Sequence, residues 1–266
     1  MSNANAAAPA LLPSEAIANV LLVSDDASVV KQLTESMLDL AMSAEVCSDV
    51  NQALGLLNRT KFEAVVVDLN LGPQAKMAVE KVRASRSNRT AVLFAISSSD
   101  EETASAFRDG CSFVLKRPLS PSLVDRTLRV AYGLIVRERR RYFRCPVEVP
   151  ASIRGVGTGA GLPETEALIV NISQGGIAIT TAVSIKAGVQ LQVQFTLPGH
   201  SSRFVTEAAV CWCKEHFLGL QFVSLSSQLK PDLEAWLSRK LEESLPPSVV
   251  EKFRNLTGAP PLKQKE

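Results

Sequence analysis

Acidic, hydroxyl and basic side chains follow four short apolar runs in the first half of the 266-residue sequence. Asp25 and Asp26 follow the run 20–23, Asp68 follows 64–67, Ser97 follows 91–96, and Lys116 and Arg117 follow 113–115. Carboxylates are hard oxygen ligands of the kind that Mg²⁺ takes in small number beside waters and a phosphate. If the runs end at one place, Asp25, Asp26 and Asp68 form a candidate Mg²⁺ site.

A second group of chemically capable residues lies near the middle of the chain. Residues 137–144, here called the arginine segment, contain five arginines, among them Arg140, Arg141 and Arg144. The net charge of the whole sequence is only +2. One dense cationic cluster in a nearly neutral protein predicts a local anion site more than a broad nucleic-acid surface.

The elements that position the first group are predicted by hydrophobic pattern. The apolar runs lack polar alternation, as expected of strands that are buried on both faces. Helix candidates lie between them, near 28–42, 49–59, 74–86 and 100–109. Alternating strands and helices predict an α/β doubly wound parallel sheet, in which functional groups gather at the carboxyl ends of the strands.

This constellation resembles a response-regulator receiver domain over roughly residues 18–135. The resemblance implies a flavodoxin-like fold, with Asp68 as phosphoacceptor and Asp25 and Asp26 helping to hold Mg²⁺. It also implies that Ser97 takes the conserved hydroxyl position and that a sensor histidine kinase is a partner. The protein would then be a phosphoprotein of two-component signalling.

Two features depart from the receiver pattern. The position immediately before Pro118, where receivers have lysine, is Arg117, and Lys116 lies one residue earlier. Arginine is planar and permanently charged, so it does not replace lysine neutrally. The segment after Asp68 also lacks the usual Pro and Asp-Gly pattern. A degenerate receiver, whose carboxylates are loop residues or helix caps, is the alternative.

The second half of the sequence changes character after a predicted helix over 121–141. Cys145 precedes a proline, which disfavours helix there and puts the domain boundary near 138–146. Six short β-like runs follow, within 147–154, 166–172, 176–181, 189–197, 203–213 and 218–223, and an amphipathic helix covers about 226–243. This pattern predicts a small antiparallel β-barrel with a C-terminal helix closing one opening.

Two motifs on this barrel resemble the paired signature of PilZ domains, which are cyclic di-GMP receptors. They are Arg140-x-x-x-Arg144 and Asn171-x-Ser173-x-x-Gly176, and the likeness spans about 138–243. The resemblance implies that cyclic di-GMP is the ligand, held by Arg140, Arg141, Arg144, Asn171, Ser173, Gly175 and Gly176. Arginine grips phosphate bidentately, donates to guanine and stacks on purine. The asparagine and serine side chains offer hydrogen bonds, and the glycines permit close backbone approach.

The expected organisation has four parts. They are a flexible N-terminal tail over 1–18, the receiver-like domain over 19–137, the PilZ-like domain over 138–243 and a partly disordered C-terminal tail over 244–266. There is no run of eighteen apolar residues, no secretory signal pattern and an odd number of cysteines, five, without framework spacing. These features predict a reduced cytoplasmic protein without membrane insertion. An apolar stripe on the 121–141 helix makes a homodimer plausible.

Other functions are weaker interpretations of the same residues. One alternative is a phosphorelay adaptor whose barrel binds a protein and not the nucleotide. A DNA-binding regulator would use the arginine segment, but the sequence lacks a helix-turn-helix and a spread basic face. Cys211, Cys213 and His216 have metal-like spacing without an evident fourth ligand. No pattern of catalytic residues has supporting context, so an enzyme is not expected.

Overall fold

The structure, a computed structural model, describes residues 11–157 and 161–257. The described residues divide into two compact units. The N-terminal unit comprises those up to Arg139 together with those from Leu245 onward, and the barrel unit is Arg140–Ser244.

The N-terminal unit is built on a five-stranded parallel sheet. Its strands are β1 (Ala18–Val23), β2 (Met42–Cys47), β3 (Ala64–Asp68), β4 (Val92–Ser97) and β5 (Phe113–Lys116). Its helices are α1 (Ala27–Asp39), α2 (Val50–Arg59), α3 (Pro73–Ala84), α4 (Asp100–Arg108) and α5 (Pro121–Tyr142), with a 3-10 turn over Leu69–Leu71. The strand order β2-β1-β3-β4-β5 is the flavodoxin-like order, which confirms the predicted doubly wound fold.

Apolar cores cover both faces of this sheet. Val66 and Phe94 belong to one core, and Val65 and Leu93 belong to the other. All five residues of β3 are buried. The unbroken apolar runs of the sequence therefore reflect a central strand that packs against helices on each side.

The strand β2 was not predicted. Its sequence, Met-Ser-Ala-Glu-Val-Cys, is mixed in polarity because it lies at the edge of the sheet and pairs only with β1. The apolar residues just before it extended the predicted first helix to residue 42, whereas α1 ends at Asp39. The chain turns at Ala41, whose φ of 57° is incompatible with a continued helix.

The barrel unit is a closed antiparallel barrel. Its strands are β6 (Cys145–Val156), β7 (Thr165–Ser173), β8 (Gly176–Thr180), β9 (Gln190–Thr196), β10 (Arg203–Lys214) and β11 (Phe217–Ser224). They close in the order β10-β11-β8-β7-β6-β9. The predicted barrel is confirmed, and the alternation in β9 follows from its inward-facing Leu191, Val193 and Phe195, all buried.

Helix α6 (Leu229–Glu243) packs on this barrel. Leu233, Trp236 and Leu237 join the barrel core, and the indole Nε1 of Trp236 donates to the carbonyl oxygen of Pro198 at 3.1 Å. The buried indole is therefore hydrogen-bonded, as a polar group in a core requires. None of the described helices is both long and apolar enough to be a membrane span.

Parts of both predicted tails pack into the N-terminal unit. Residues 1–10 lie outside the described range, but the N–H of Ile17 donates to Ala41 at 2.9 Å and its side chain is buried. The hydroxyl of Ser43 donates to the carbonyl oxygen of Leu11 at 2.9 Å. The segment 11–17 is thus part of the N-terminal unit, because its apolar side chains pack against that unit's core.

A further helix, α7 (Pro247–Thr257), occupies part of the predicted C-terminal tail. Leu245, Val249 and Phe253 recur every four residues and are buried in a core of the N-terminal unit. Lys252 Nζ donates to the carbonyl oxygen of Leu38 at 3.3 Å. The chain therefore returns to the N-terminal unit after completing the barrel. Residues 258–266 lie outside the described range.

Candidate functional site

An arginine and two carboxylates meet at the carboxyl end of the parallel sheet. Asp68 is the last residue of β3 and is fully buried, and Arg117 directly follows β5. The two terminal nitrogens of Arg117 donate separately, one to Asp68 Oδ2 at 2.6 Å and the other to Asp26 Oδ2 at 2.8 Å. One guanidinium therefore bridges the two carboxylates.

The carboxylate of Asp68 has further donors. The hydroxyl of Ser24 donates to Oδ2 at 2.8 Å, and the N–H of Asn70 donates to Oδ1 at 3.1 Å. Both oxygens of Asp68 are thus hydrogen-bonded, as a buried charge requires. Ser24, itself buried, was missed in the sequence because only the acidic residues after it drew attention.

Asp26 is the N-cap of α1. Its Oδ1 accepts from the N–H of Ser28 at 2.9 Å, from the Ser28 hydroxyl at 2.7 Å and from the N–H of Val29 at 3.3 Å. The Ser28 hydroxyl first, and then Arg117 and the Val29 N–H, hold the pKa of Asp26 well below its usual range. The helix-cap alternative therefore describes Asp26, while the neighbouring Asp25 is exposed to solvent.

Lys116 and Arg117 point to different partners. Lys116 Nζ lies 2.5 Å from Asp100 Oδ1 at the start of α4, and both side chains are largely exposed. Arg117 turns inward, and the side-chain bonds to Asp26 and Asp68 raise its pKa although burial alone would lower it. The cation that reaches the buried carboxylate is therefore Arg117 and not Lys116.

Ser97 lies at the end of β4 and is fully buried. Its Oγ is 2.8 Å from Thr103 Oγ1, and the Thr103 hydroxyl donates to the carbonyl oxygen of Ser99 at 2.9 Å. Because that hydroxyl has only one proton, Ser97 donates to Thr103. Thr103 was not singled out in the sequence analysis.

The side chains at this edge do not fit a divalent metal. In residues 11–157 and 161–257, no three His, Cys, Asp or Glu side chains come together in a way that could hold an ion. The predicted Mg²⁺ site of Asp25, Asp26 and Asp68 is thus not assembled, because Arg117 bridges two of the three carboxylates. Cys211, Cys213 and His216 likewise form no such group in the described part of the chain.

In the barrel unit, strand pairing brings the two predicted ligand motifs together. Cys145 pairs with Ile172 and Pro146 pairs with Asn171 in the antiparallel β6–β7 ladder. Arg144 directly precedes this ladder, and continuing its register places Arg144 alongside Ser173. The end of the arginine segment and the Asn171–Gly176 turn are therefore neighbours.

The turn after β7 is held by its own polar groups. The hydroxyl of Ser173 donates to the carbonyl oxygen of Gly176 at 3.0 Å, and the Gly175 carbonyl oxygen accepts from Phe222 at 3.0 Å. A Cβ at Gly176 would lie 2.0 Å from the carbonyl oxygen of Leu220, so only glycine fits there. Ser173 and Gly176 shape this turn, and Gly175 is exposed with open space around its Cα.

Asn171 carries an unsatisfied buried acceptor. Its Oδ1 is inaccessible to solvent and has no hydrogen-bond partner among the described residues. Leaving a buried acceptor unpaired costs about 1–3 kcal/mol.

The arginine segment divides between the two units. Arg139 belongs to the N-terminal unit, where a terminal guanidinium nitrogen lies 3.8 Å from Glu63 Oε1. Arg140 is partly buried, and Arg141 and Arg144 are exposed, with the Arg141 guanidinium carbon 5.8 Å from the Tyr142 ring centre. Arg139 and Glu63 therefore belong together in the N-terminal unit, and Arg140, Arg141 and Arg144 belong to the barrel unit.

A buried charged cluster near the end of α5 was not predicted. Glu138 is 6% exposed, and its Oε1 accepts from Lys61 Nζ at 2.5 Å and from the Thr90 hydroxyl at 2.6 Å. Glu63 is 1% exposed, and its Oε2 accepts from the N–H of Asn19 at 2.8 Å. Burial raises the pKa of Glu63 above 4.5 despite this bond and the nearby cations. The only sequence signals were acidic residues within an apolar run and an arginine run.

Comparison with protein families assigns the second half of the chain. Residues 138–239 match the family model of the PilZ domain. The match covers both ligand motifs and all six barrel strands. Comparison with curated protein sequences finds no match.

Solved structures with similar folds include receiver proteins. The chemotaxis response regulator CheY4 of Vibrio cholerae is 22% identical, with a TM-score of 0.39 over 42% of this chain and 97% of that chain. The receiver domain of the sensor histidine kinase PA1611 of Pseudomonas aeruginosa PAO1, which has a coordinated magnesium ion, is 19% identical, with a TM-score of 0.40 over 44% and 98%. The Bacillus subtilis inhibitor of motility MotI is 23% identical, with a TM-score of 0.33 over 38% and 50%.

Proposed function

We propose that this chain, which joins a receiver-fold unit to a PilZ domain, is a signalling protein that binds cyclic di-GMP on the PilZ domain. The observation that carries the proposal is the β6–β7 register. Because Cys145 pairs with Ile172, the arginine segment ends beside the Asn171–Gly176 turn. The end of the first motif and the second motif are therefore neighbours in the barrel unit, which supports a shared ligand surface.

The arginines supply the groups that recognise the anionic part of this ligand. Cyclic di-GMP offers two phosphodiester anions and two guanine bases. Arg141 and Arg144 are exposed, and Arg140 is partly buried. A guanidinium binds phosphate through two parallel hydrogen bonds, donates to guanine O6 and N7, and stacks on the purine face. We assign these roles to Arg140 and Arg144, with Arg141 beside them.

Asn171 supplies base recognition. Guanine carries an N–H and an exocyclic amino group on its Watson–Crick edge, and either can donate to Oδ1 once the Asn171 side chain turns this buried atom toward the ligand. Pairing this buried acceptor on binding favours the complex because the free protein bears the penalty of leaving it unpaired. Ser173 and Gly176 act through the shape of the turn, and Gly175 leaves room for the ligand.

The test is isothermal titration of cyclic di-GMP into the full chain and into an Arg140→Ala/Arg144→Ala variant. The unmodified protein is expected to bind and the variant to lose binding. Arg137→Ala is the matched control, because Arg137 is an exposed arginine of the same helix outside the motif. If Arg137→Ala lost as much binding, the loss in the double variant would be explained by the change in net charge alone.

A protein partner for the barrel is the second candidate. Trp212 and Phe217, on the hairpin formed by β10 and β11, are 48% and 45% exposed. Exposed aromatic residues of this kind are enriched at protein interfaces. If the unmodified protein gives no heat with cyclic di-GMP, the adaptor function takes precedence. Trp212→Ala would then be expected to abolish partner capture, and thermal unfolding of the variant would measure the loss of the indole's packing against Gly219.

The place of the receiver-fold unit in two-component signalling rests on its fold and on the position of Asp68 at the end of β3. The receiver resemblance implies phosphorylation of Asp68 by a sensor histidine kinase, and the bond from Arg117 to Asp68 is an argument against it. A homodimer stays a prediction, and size-exclusion chromatography with light scattering tests it.

A further inference from the structure

We propose that Arg117 takes the place of a divalent cation in the N-terminal unit. In this arrangement Asp26 and Asp68 form a permanent salt bridge with Arg117, and neither carboxylate binds Mg²⁺. The unit is then a constant scaffold, and Asp68 does not accept a phosphoryl group by a Mg²⁺-dependent reaction. This inference is independent of the nucleotide proposed for the barrel.

The geometry of the bridge is that of a cation held between two ligands. Arg117 lies 2.6 Å from Asp68 Oδ2 and 2.8 Å from Asp26 Oδ2, through different terminal nitrogens. These distances are typical of charge-assisted hydrogen bonds. The guanidinium side chain is 21% exposed, and the Asp68 side chain is completely buried. Arg117 therefore supplies the positive charge that a buried Asp68 requires.

The second oxygen of each carboxylate is hydrogen-bonded as well. Ser24 also donates to Asp68 Oδ2, and the N–H of Asn70 donates to Oδ1. On Asp26, Oδ1 accepts three hydrogen bonds from residues of the first turn of α1. Mg²⁺ demands near-octahedral geometry and keeps several waters, so binding would require most of these contacts to break.

A metal ion beside Arg117 would also be repelled. Arginine stays protonated in proteins, so it cannot lose its charge to admit a doubly charged ion. Unit charges a few Å apart interact strongly where water is largely excluded. Mg²⁺ could enter only after Arg117 swings out, which would leave its place at both carboxylates vacant.

The neighbouring lysine does not reopen the site. Lys116 is paired with Asp100 on the outside of the unit. Lys116→Ala is therefore a matched control. It removes an adjacent cation that is in an ion pair, but that forms no hydrogen bond or ion pair with Asp68 among the described residues.

The experiment is thermal unfolding of the full chain with increasing MgCl₂, at ionic strength held constant with NaCl. The unmodified protein and Lys116→Ala are expected to show no Mg²⁺-dependent rise in Tm. Arg117→Ala is expected to show one, because its two carboxylates are left without their cation. A rise in the unmodified protein that Asp68→Asn removes would overturn the proposal. An Arg117→Ala variant that folds and ignores Mg²⁺ would overturn it too.

Intact mass after acetyl phosphate and MgCl₂ gives a second readout. No phosphoryl adduct is expected on the unmodified protein, whereas an adduct that is lost in Asp68→Asn contradicts the proposal. If Arg117→Ala does not fold, the unmodified protein and Asp68→Asn decide the question by themselves. Binding of cyclic di-GMP is measured separately, so failure of either proposal leaves the other intact.

Discussion

The two units use arginine in opposite ways. In the N-terminal unit, Arg117 is mostly buried and its charge is taken up by two carboxylates of the same chain. In the barrel unit, Arg141 and Arg144 are exposed, and within the described parts of the chain neither forms an ion pair with a carboxylate. The same side chain thus neutralises two carboxylates in one unit and has no carboxylate partner in the other, where we propose that it binds an anion.

The difference lies in what the fold places within reach. Parallel strands end at a common edge, so the carboxylate after β3 and the cation after β5 meet inside the unit. The antiparallel β6–β7 pair instead aligns the arginine segment with an Asn-Ser-Gly turn that carries no acidic residue. The first arrangement supplies its own counter-charge, and the second does not.

The largest effect on stability is expected from breaking the closed site, by which we mean the bridge of Arg117 to Asp26 and Asp68. Arg117→Ala leaves Asp68 buried without its cation and should lower the free energy of unfolding by about 3–5 kcal/mol, as the loss of one partner from a buried pair does. Urea denaturation followed by circular dichroism measures it. Lys116→Ala, which removes an exposed pair, should change stability by less than about 1 kcal/mol. Equal effects from the two variants would contradict the distinction drawn between the closed site and the surface pair.

Binding of cyclic di-GMP at the open site, which is the end of the arginine segment beside the Asn171–Gly176 turn, should depend strongly on Arg144 and little on Arg139. Arg144→Ala removes a charge-assisted contact to cyclic di-GMP and should weaken binding by about 1.5–3 kcal/mol, or roughly 10- to 100-fold. Arg139→Ala should leave the affinity within about threefold, because Arg139 faces Glu63 in the N-terminal unit. Isothermal titration of the two variants decides, and a larger loss from Arg139→Ala would reverse the assignment.

Asn171 is expected to act on binding more than on folding. Asn171→Leu removes an acceptor that is unpaired in the free protein, so the free energy of unfolding should fall little or rise. Cyclic di-GMP binding should weaken by about 1–3 kcal/mol if a guanine donor reaches Oδ1. Parallel thermal unfolding and titration separate the two effects. Strong destabilisation with unchanged affinity would make Asn171 a structural residue of the turn.

The Arg139–Glu63 pair predicts a small dependence of folding stability on pH. Burial raises the pKa of Glu63 above 4.5, so the folded state holds this proton more tightly than the unfolded state. The contribution of protonated Glu63 to stability is complete below pH 4.5 and is lost as the pH rises through the raised pKa of Glu63 in the folded state. Glu63→Gln should therefore gain stability relative to the unmodified protein between pH 4 and pH 8. An unchanged difference across that range would show that Glu63 titrates normally.

Local patterns in the sequence were sufficient for much of the fold. Apolar runs without alternation predicted the central strands, and short runs with turn residues predicted the six strands of the barrel. The elements that were missed depend on distant partners. Strand β2 is an edge strand of mixed polarity, and α7 is a short helix that folds onto a core formed by residues far earlier in the chain. Their stability comes from that packing, which a local window does not contain.

The sequence by itself determined which residues could do chemistry: the carboxylates after the strands, the arginine segment and the Asn171–Gly176 turn. Only the tertiary structure decided what each of them does. Arg117, Arg139 and Arg144 are the same residue type, and the sequence around each does not show which partner it has. The partners depend on strand order and register. Placing Asp68 beside Arg117, Glu63 beside Arg139 and the Asn171 turn beside Arg144 requires contacts between residues that are 27 or more positions apart. Charge pairing acts through space, so the fold paired Arg117 with two carboxylates and left Arg144 exposed.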